Sequence, residues 1–348
     1  MTLWRRFFAT LAGTALGVTT LLFLFVAIVD PFDALPLSPR LDRAPIATNA
    51  RFSFPALARQ QHFDSAVIGT STSRLLRPAA LNAAFDARFV NLAMNAATAY
   101  EQSRILGVFL AAHPRPRRVI IGIDDVWCMT RKLDRYTPRA FPEWMYERDP
   151  WPGYAHLLNL YTVQQAGIQL WTLLGLKREV YGRDGYTSFV PDDRLYDRAR
   201  VAMHLQQAAA AMPKPTTALV TPDKLPFPAL DLLRDALAAI PAETTTLLFF
   251  APFNHVVRPD AGPLFDEWQE CKRRVTAMAT ARPNAMVVDF MIPSGITDDD
   301  NNYWDTVHYR VGIADRLVRD LARAAAGQAA ENGDYRVLDP LKDVRATR

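Results

Sequence analysis

The sequence predicts an α/β domain, a parallel sheet with helices on both faces, tethered by one N-terminal transmembrane helix. Three observations carry this reading. Short β-branched runs alternate with helical stretches from residue 63 onward, the pattern of strands joined by crossover helices. An uncharged run from Phe7 to Val29 follows Arg5 and Arg6 and is long enough to cross a bilayer core of about 30 Å. The 348 residues leave room for one large domain or two small ones.

Composition narrows the function classes. Half of the residues are hydrophobic and 22% are charged, ordinary proportions for a globular chain. The net charge is only +4, and the arginines are spread along the chain. There is no basic stripe of the kind nucleic-acid binding requires, so no nucleic-acid partner is expected. Gly-x-Gly-x-x-Gly and Walker patterns are absent, which leaves no nucleotide cofactor to expect. Two cysteines and six scattered histidines have no metal-site spacing, and no metal is expected.

Residues 1–29 read as a membrane anchor. A cleaved signal peptide has an apolar region of about 7–15 residues and a small-residue cleavage site. This run is longer and ends in Val26-Ala27-Ile28-Val29-Asp30-Pro31, without an Ala-x-Ala pattern. The arginines ahead of it are expected to stay in the cytoplasm, placing all that follows on the far side. In a Gram-negative cell that is a single pass through the inner membrane with the C-terminal domain in the periplasm. Cys128 and Cys271 would then lie in an oxidising compartment, but their spacing does not decide whether they pair.

Residues 30–62 contain Pro31, Pro36, Pro39, Pro45 and Pro55 and read as a linker. The α/β domain is expected over 63–328. Its first strand covers 64–70 and leads into a helix from Ser73 to Phe85. A strand at 89–93, a helix near 99–113 and a strand at 118–123 follow. Alternation stops over about 129–230, where Trp144, Tyr146, Trp151, Tyr154 and Tyr161 fall among helical runs. This reads as a helical insertion beside the sheet edge, either the wall of a cleft or extra packing. A helix near 228–240, a strand at 245–250, a helix near 262–282, a strand at 285–290 and a helix near 311–327 complete the domain. The mixed-charge tail, 329–348, reads as frayed.

Two stretches carry chemistry. Gly69-Thr70-Ser71-Thr72-Ser73-Arg74 joins the first strand to its helix, a turn that lifts a serine above the carboxyl edge of a parallel sheet. The plainer alternative is that these hydroxyls cap a helix. The loop before the last helix contains Asp298-Asp299-Asp300 and then Asp305-Thr306-Val307-His308. The acids alone read as a metal site or, more simply, a solvated loop. Asp305 and His308 are close enough for the carboxylate to orient the imidazole, leaving its other nitrogen for a serine.

Together, Gly69-Thr70-Ser71 and Asp305-x-x-His308 resemble the SGNH (GDSL-like) hydrolase superfamily. Within it the chain is similar to the membrane-anchored, periplasmic branch that includes alginate O-acetylation and related polysaccharide-modifying proteins. The resemblance covers about 64–125 and 245–327. It implies a flavodoxin-like sheet with Ser71 as nucleophile, His308 as base and Asp305 as its partner. It also implies an oxyanion hole from backbone N–H groups of Ser71 and of Asn95 or Ala96, in a turn that normally carries glycine. Where the family offers an asparagine side chain, this chain has Asp124-Asp125. A carboxylate would repel an oxyanion, so Asp124 is expected to bond Arg74 or a sugar hydroxyl. Arg74, Asp124, Asn254, His255 and Trp304 are candidate cleft-lining residues.

The implied activity is a serine-dependent acyl, above all O-acetyl, esterase or transferase acting on envelope or exported carbohydrate. A transferase would need a membrane O-acyltransferase partner to pass the acyl group across. The alternative is a non-catalytic binding or assembly subunit of a polysaccharide modification or export complex. Topology is testable first. A reporter fused after residue 348 should be active only outside the cytoplasm, with residues 1–29 retained; a soluble form beginning near Asp30 would remove the anchor.

Overall fold

The computed structural model describes residues 2–211 and 221–339. The chain divides into two compact units, residues 1–57 with 140–185 (unit one) and residues 58–139 with 186–348 (unit two). In chain order, α1 (Thr2–Val29) and α2 (Ala50–Ala58) precede β1 (Ser65–Ile68), α3 (Ser71–Arg74), α4 (Pro78–Phe85) and β2 (Phe89–Asn91). Next come α5 (Ala99–Ala112), β3 (Arg118–Ile123) and α6 (Asp125–Cys128), then α7 (Leu160–Leu173) in unit one. The chain continues in unit two with α8 (Arg198–Ala211), α9 (Ala229–Ala239), β4 (Thr245–Phe250), α10 (Pro263–Thr280), β5 (Ala285–Asp289), α11 (Val311–Ala325) and β6 (Arg336–Leu338).

Unit two is a mixed α/β fold around one six-stranded sheet of order β2-β1-β3-β4-β5-β6. The first five strands are parallel and β6 is antiparallel. From β1 the chain steps outward to β2, then back past β1 to β3, β4 and β5. Right-handed crossovers therefore put α4 on one face and α5, α9 and α10 on the other. The helix contacts agree, since α4 packs with α11, α5 with α9, and α9 with α10. Reversal of direction at β1 opens a crevice between the carboxyl ends of β1 and β3, where such sheets hold ligands. All four residues of β1 are buried. A strand covered on both faces reads as a continuous apolar run, which is why it was visible in the sequence.

Four expectations need correction. The helix predicted over Ser73–Phe85 is two helices, because Pro78 starts α4 and holds Arg77 extended at φ −78° and ψ 123°. The expected linker is folded: Phe32, Leu35, Ile46, Phe54 and Leu57 are buried, and the Phe52 ring packs at a tilt on Phe32 and Tyr161, with centroids 5.1 and 4.9 Å apart. Apolar side chains spaced among the prolines give this segment a core that its proline content concealed. The expected insertion is also not one body, since 140–185 belong to unit one and the segment from 186 to unit two. Part of the supposed tail is likewise structured, because Arg336–Leu338 pairs with Val287–Asp289. Its last residues, 340–348, lie outside the described ones.

Cys128 at the end of α6 and Cys271 in α10 form a disulfide across a separation of 143 residues. A disulfide typically stabilises by about 2–4 kcal/mol, toward the upper end when the loop it closes is long. Replacing both cysteines by alanine should lower unfolding stability by about that amount. Reductant should destabilise the unsubstituted protein to a similar extent and leave the double variant unmoved, as read from denaturant midpoints.

Candidate active site

The turn after β1 is shaped by a close approach. Ser73 enters between Gly69 and Gly122; a Cβ on Gly69 would lie 2.5 Å from Ser73 Cβ, and one on Gly122 would lie 1.8 Å from Ser73 Oγ. Two glycines on neighbouring strands thus let α3 begin directly above the sheet. Thr70 is extended at φ −101° and makes no side-chain cap for α3; its hydroxyl donates instead to Asp124 Oδ2. Ser71 follows as the first helical residue, where the N–H has no acceptor within the helix. Asn91, at the end of β2, braces the turn from below. Its Nδ2 donates to the carbonyls of Ser73 and Leu76 at 3.2 and 2.8 Å, while its Oδ1 accepts from Ala93 N at 3.0 Å.

The second half of the site is a hairpin-like loop ahead of α11. Tyr303 and Tyr309 form an antiparallel bridge, and Trp304 N donates to His308 O at 2.8 Å. Within the loop Asp305 Oδ1 accepts from the N–H groups of Val307 and His308 at 2.9 and 2.8 Å. Its other oxygen lies 2.6 Å from His308 Nδ1, and His308 Nε2 lies 2.7 Å from Ser71 Oγ. Tyr309 ties the loop to the turn, since its hydroxyl donates to Thr72 O at 2.5 Å. Arg77, just before α4, binds Asp315 of α11 through two contacts of 2.8 and 2.5 Å. Residues 237 positions apart are therefore held together by bonds other than their own.

The protonation pattern follows from surroundings. Burial alone would raise the Asp305 pKa, but His308 and the two loop N–H groups hold it below the usual carboxylate value. An ionised Asp305 requires a proton on Nδ1, which leaves Nε2 to accept from Ser71. The His308 side chain remains 23% exposed, open enough to meet a ligand.

The other sequence candidates separate into neighbours and braces. The turn Met94–Ala97 sits beside the serine, with Met94 N donating to Gly69 O at 3.0 Å. Ala96 takes the left-handed conformation at φ 54°, the geometry a glycine would adopt without a Cβ penalty of about 1–2 kcal/mol. Asn95 Oδ1 faces Arg74 Nη1 at 3.4 Å. Arg74, Asp124 and Asn254 are all buried and do not form open cleft walls as expected. Within the protein Asp124 accepts from Thr70 and from Val126 N rather than from Arg74. Asn254 braces the histidine loop through Asp300 Oδ1 at 2.9 Å and Thr306 O at 2.9 Å. His255 is half exposed and also faces Asp300, at 3.1 Å. Trp304 packs edge-on against Tyr196 at 5.1 Å.

Some site neighbours left no signal in the sequence. Phe189 sets its ring edge-on to His308 at 5.3 Å, yet it belongs to a stretch without period. Asn91 read only as part of a strand. The acid cluster resolves as loop structure: Asp298 pairs with Arg258 at 2.7 Å, and Asp299 accepts from Asn301 N at 2.9 Å. Among the described residues no group of three or more His, Cys, Asp or Glu side chains could hold a metal ion.

No family model matches the chain, and a search of curated proteins finds no match. The geometry therefore carries the functional argument alone.

Asp124 gives a test of the crevice. Burial, and then the charge of Asp125, push its pKa up to about 7 against the bonds from Thr70 and Val126. A carboxyl raised in the folded state keeps a proton that the unfolded chain has lost, so stability falls as pH rises from about 4 to 7. Asp124→Asn should be more stable than the unsubstituted protein at pH 8, with the gain shrinking toward pH 4. Urea unfolding across that range measures it; a pH-independent difference would mean the folded carboxyl titrates normally.

Proposed function

We propose that the chain is an extracytoplasmic, serine-dependent acyl esterase or transferase of SGNH type. Its substrate on this reading is an O-acyl, above all O-acetyl, group on envelope or exported carbohydrate. The contact chain Ser71–His308–Asp305, at 2.7 and 2.6 Å, carries the proposal. The sheet order with a serine at the carboxyl end of β1, and the Asp-x-x-His loop before α11, support the SGNH assignment. The apolar N-terminal helix supports a membrane address, with the periplasm as the compartment in a Gram-negative cell. The Cys128–Cys271 disulfide favours an oxidising side. The exported address and the aromatic rings of Phe189 and Trp304 around the histidine loop favour a sugar ester.

In this mechanism Ser71 Oγ attacks the acyl carbonyl carbon as His308 Nε2 takes its proton. Asp305 holds the tautomer and stabilises the imidazolium. Backbone N–H groups of Ser71 and the 95–96 turn receive the oxyanion. Asp124, whose pKa burial pushes up to about 7, carries less negative charge below neutral pH than an ordinary carboxylate would. The tetrahedral adduct expels the sugar oxygen, which takes the proton from His308. Water or a second hydroxyl then attacks the acyl-serine, by the same proton path in reverse. A transferase would receive its acyl group through a membrane O-acyltransferase partner.

The rival is a non-catalytic binding or assembly subunit, favoured by one observation. Asp124, where the family's amide donor would stand, is buried against Thr70. A serine-reactive fluorophosphonate probe and an activated acetyl ester distinguish the two. Labelling should require Ser71 and His308, and Ser71→Ala or His308→Ala should lower turnover by at least about 10³-fold. Asp305→Asn should cost about 10²–10⁴-fold by favouring the wrong tautomer. Folded protein that neither labels nor turns over would move the assignment to the assembly subunit.

A further inference from the structure

Helix α1 changes environment near its end. Its large apolar side chains are exposed from Leu3 to Leu22. From Phe23 onward one face is covered by unit one itself: Val26 and Val29 are buried with Leu35, Leu157 and Ala166, flanked by Phe23, Phe25, Tyr154 and Val163, while Leu24 and Ile28 on the other face stay exposed. The charge-free part that unit one leaves exposed on every side, Phe7 to Leu22, is sixteen residues. At 1.5 Å per residue this is about 24 Å, about one helical turn short of a 30 Å hydrocarbon core. A span that begins after Arg6 must therefore include the turn wrapped by Tyr154, Val163 and Ala166. Those residues then lie at the depth of the lipid headgroups, and with them the part of α7 that carries Val163 and Ala166.

At the far end of α7 the surface is apolar in a way that helix capping does not require. Gly175, at φ 73°, closes the helix: its N–H donates to Thr172 O at 3.0 Å and Leu176 N donates to Trp171 O at 2.9 Å. This is the Schellman arrangement, which holds the helix end in one conformation. It presents Trp171, Leu174 and Leu176 at 59, 63 and 69% exposure, followed at once by Lys177 and Arg178. A water-facing surface scatters large apolar groups singly. Tryptophan and leucine beside two cations are the composition of a membrane interface.

We propose that the capped end of α7 is a second, interfacial membrane contact. Trp171, Leu174 and Leu176 enter the acyl boundary of the leaflet from which α1 emerges, and Lys177 and Arg178 meet the phosphates of anionic phospholipid. Continuity with α1 selects lipid over a protein as the occupant, because α7 packs on the last turns of the span. The inference rests on α1 crossing the membrane, as proposed above.

The test uses full-length protein in vesicles of phosphatidylethanolamine and phosphatidylglycerol. With the native cysteines joined, Leu174→Cys adds the one reactive thiol for a nitrobenzoxadiazole label. Leu16→Cys in α1, read with a nitroxide deep on the acyl chain, is the reference site. Lipids carrying a nitroxide high on the acyl chain should remove about half of the fluorescence at position 174, the response expected for a group just below the headgroups. Quenching at 16 without quenching at 174 overturns the interfacial contact while keeping the anchor. No quenching at either position overturns the anchor and the contact with it. Efficient 174–174 disulfide cross-linking on oxidation assigns the patch to a second copy and also overturns the proposal.

Discussion

Ser73 occupies the space between Gly69 and Gly122, where neither strand has room for a Cβ. That close approach sets the height of α3 above the sheet, and with it the position of Ser71. Asn91 grips the same turn from β2, and Tyr309 grips it from the histidine loop. A side chain at either glycine would push α3 outward and stretch every contact above it. The 2.7 Å contact between Ser71 and His308 is thus a consequence of packing one layer below.

Two carboxyl groups near this turn are driven to opposite charge states by their surroundings. Asp305 faces an imidazole and two backbone N–H groups that favour its anion. Asp124 is buried beside another acid, which outweighs the bonds it accepts from Thr70 and Val126 N, and its pKa is pushed up to about 7. Burial acts on both; Asp305 has donors enough to offset it and Asp124 does not.

Unit one shows how composition can mislead. Five prolines over residues 30–62 are consistent with a spacer, yet Phe32, Leu35, Ile46, Phe54 and Leu57 are buried. Asp30 begins this folding: its carboxylate accepts from Ala34 N and Leu35 N at 3.1 and 2.8 Å, turning the chain sharply as it leaves α1. Proline limits regular secondary structure, but it does not prevent the residues between from burying apolar surface.

What the sequence by itself determined were features whose cause lies within a few residues. The uncharged length of α1, the apolar runs of the buried strands, and the three-residue spacing of Asp305 and His308 are all of this kind. Hydrophobic period and loop reach act locally, so they can be read locally. The tertiary structure decided which distant groups meet. Pairing of Cys128 with Cys271, addition of β6 at the sheet edge, capture of Asp124 by Thr70, and placement of Phe189 on His308 depend on contacts between remote segments. No local pattern encodes such contacts, because their stability comes from the whole sheet and the helices packed on it.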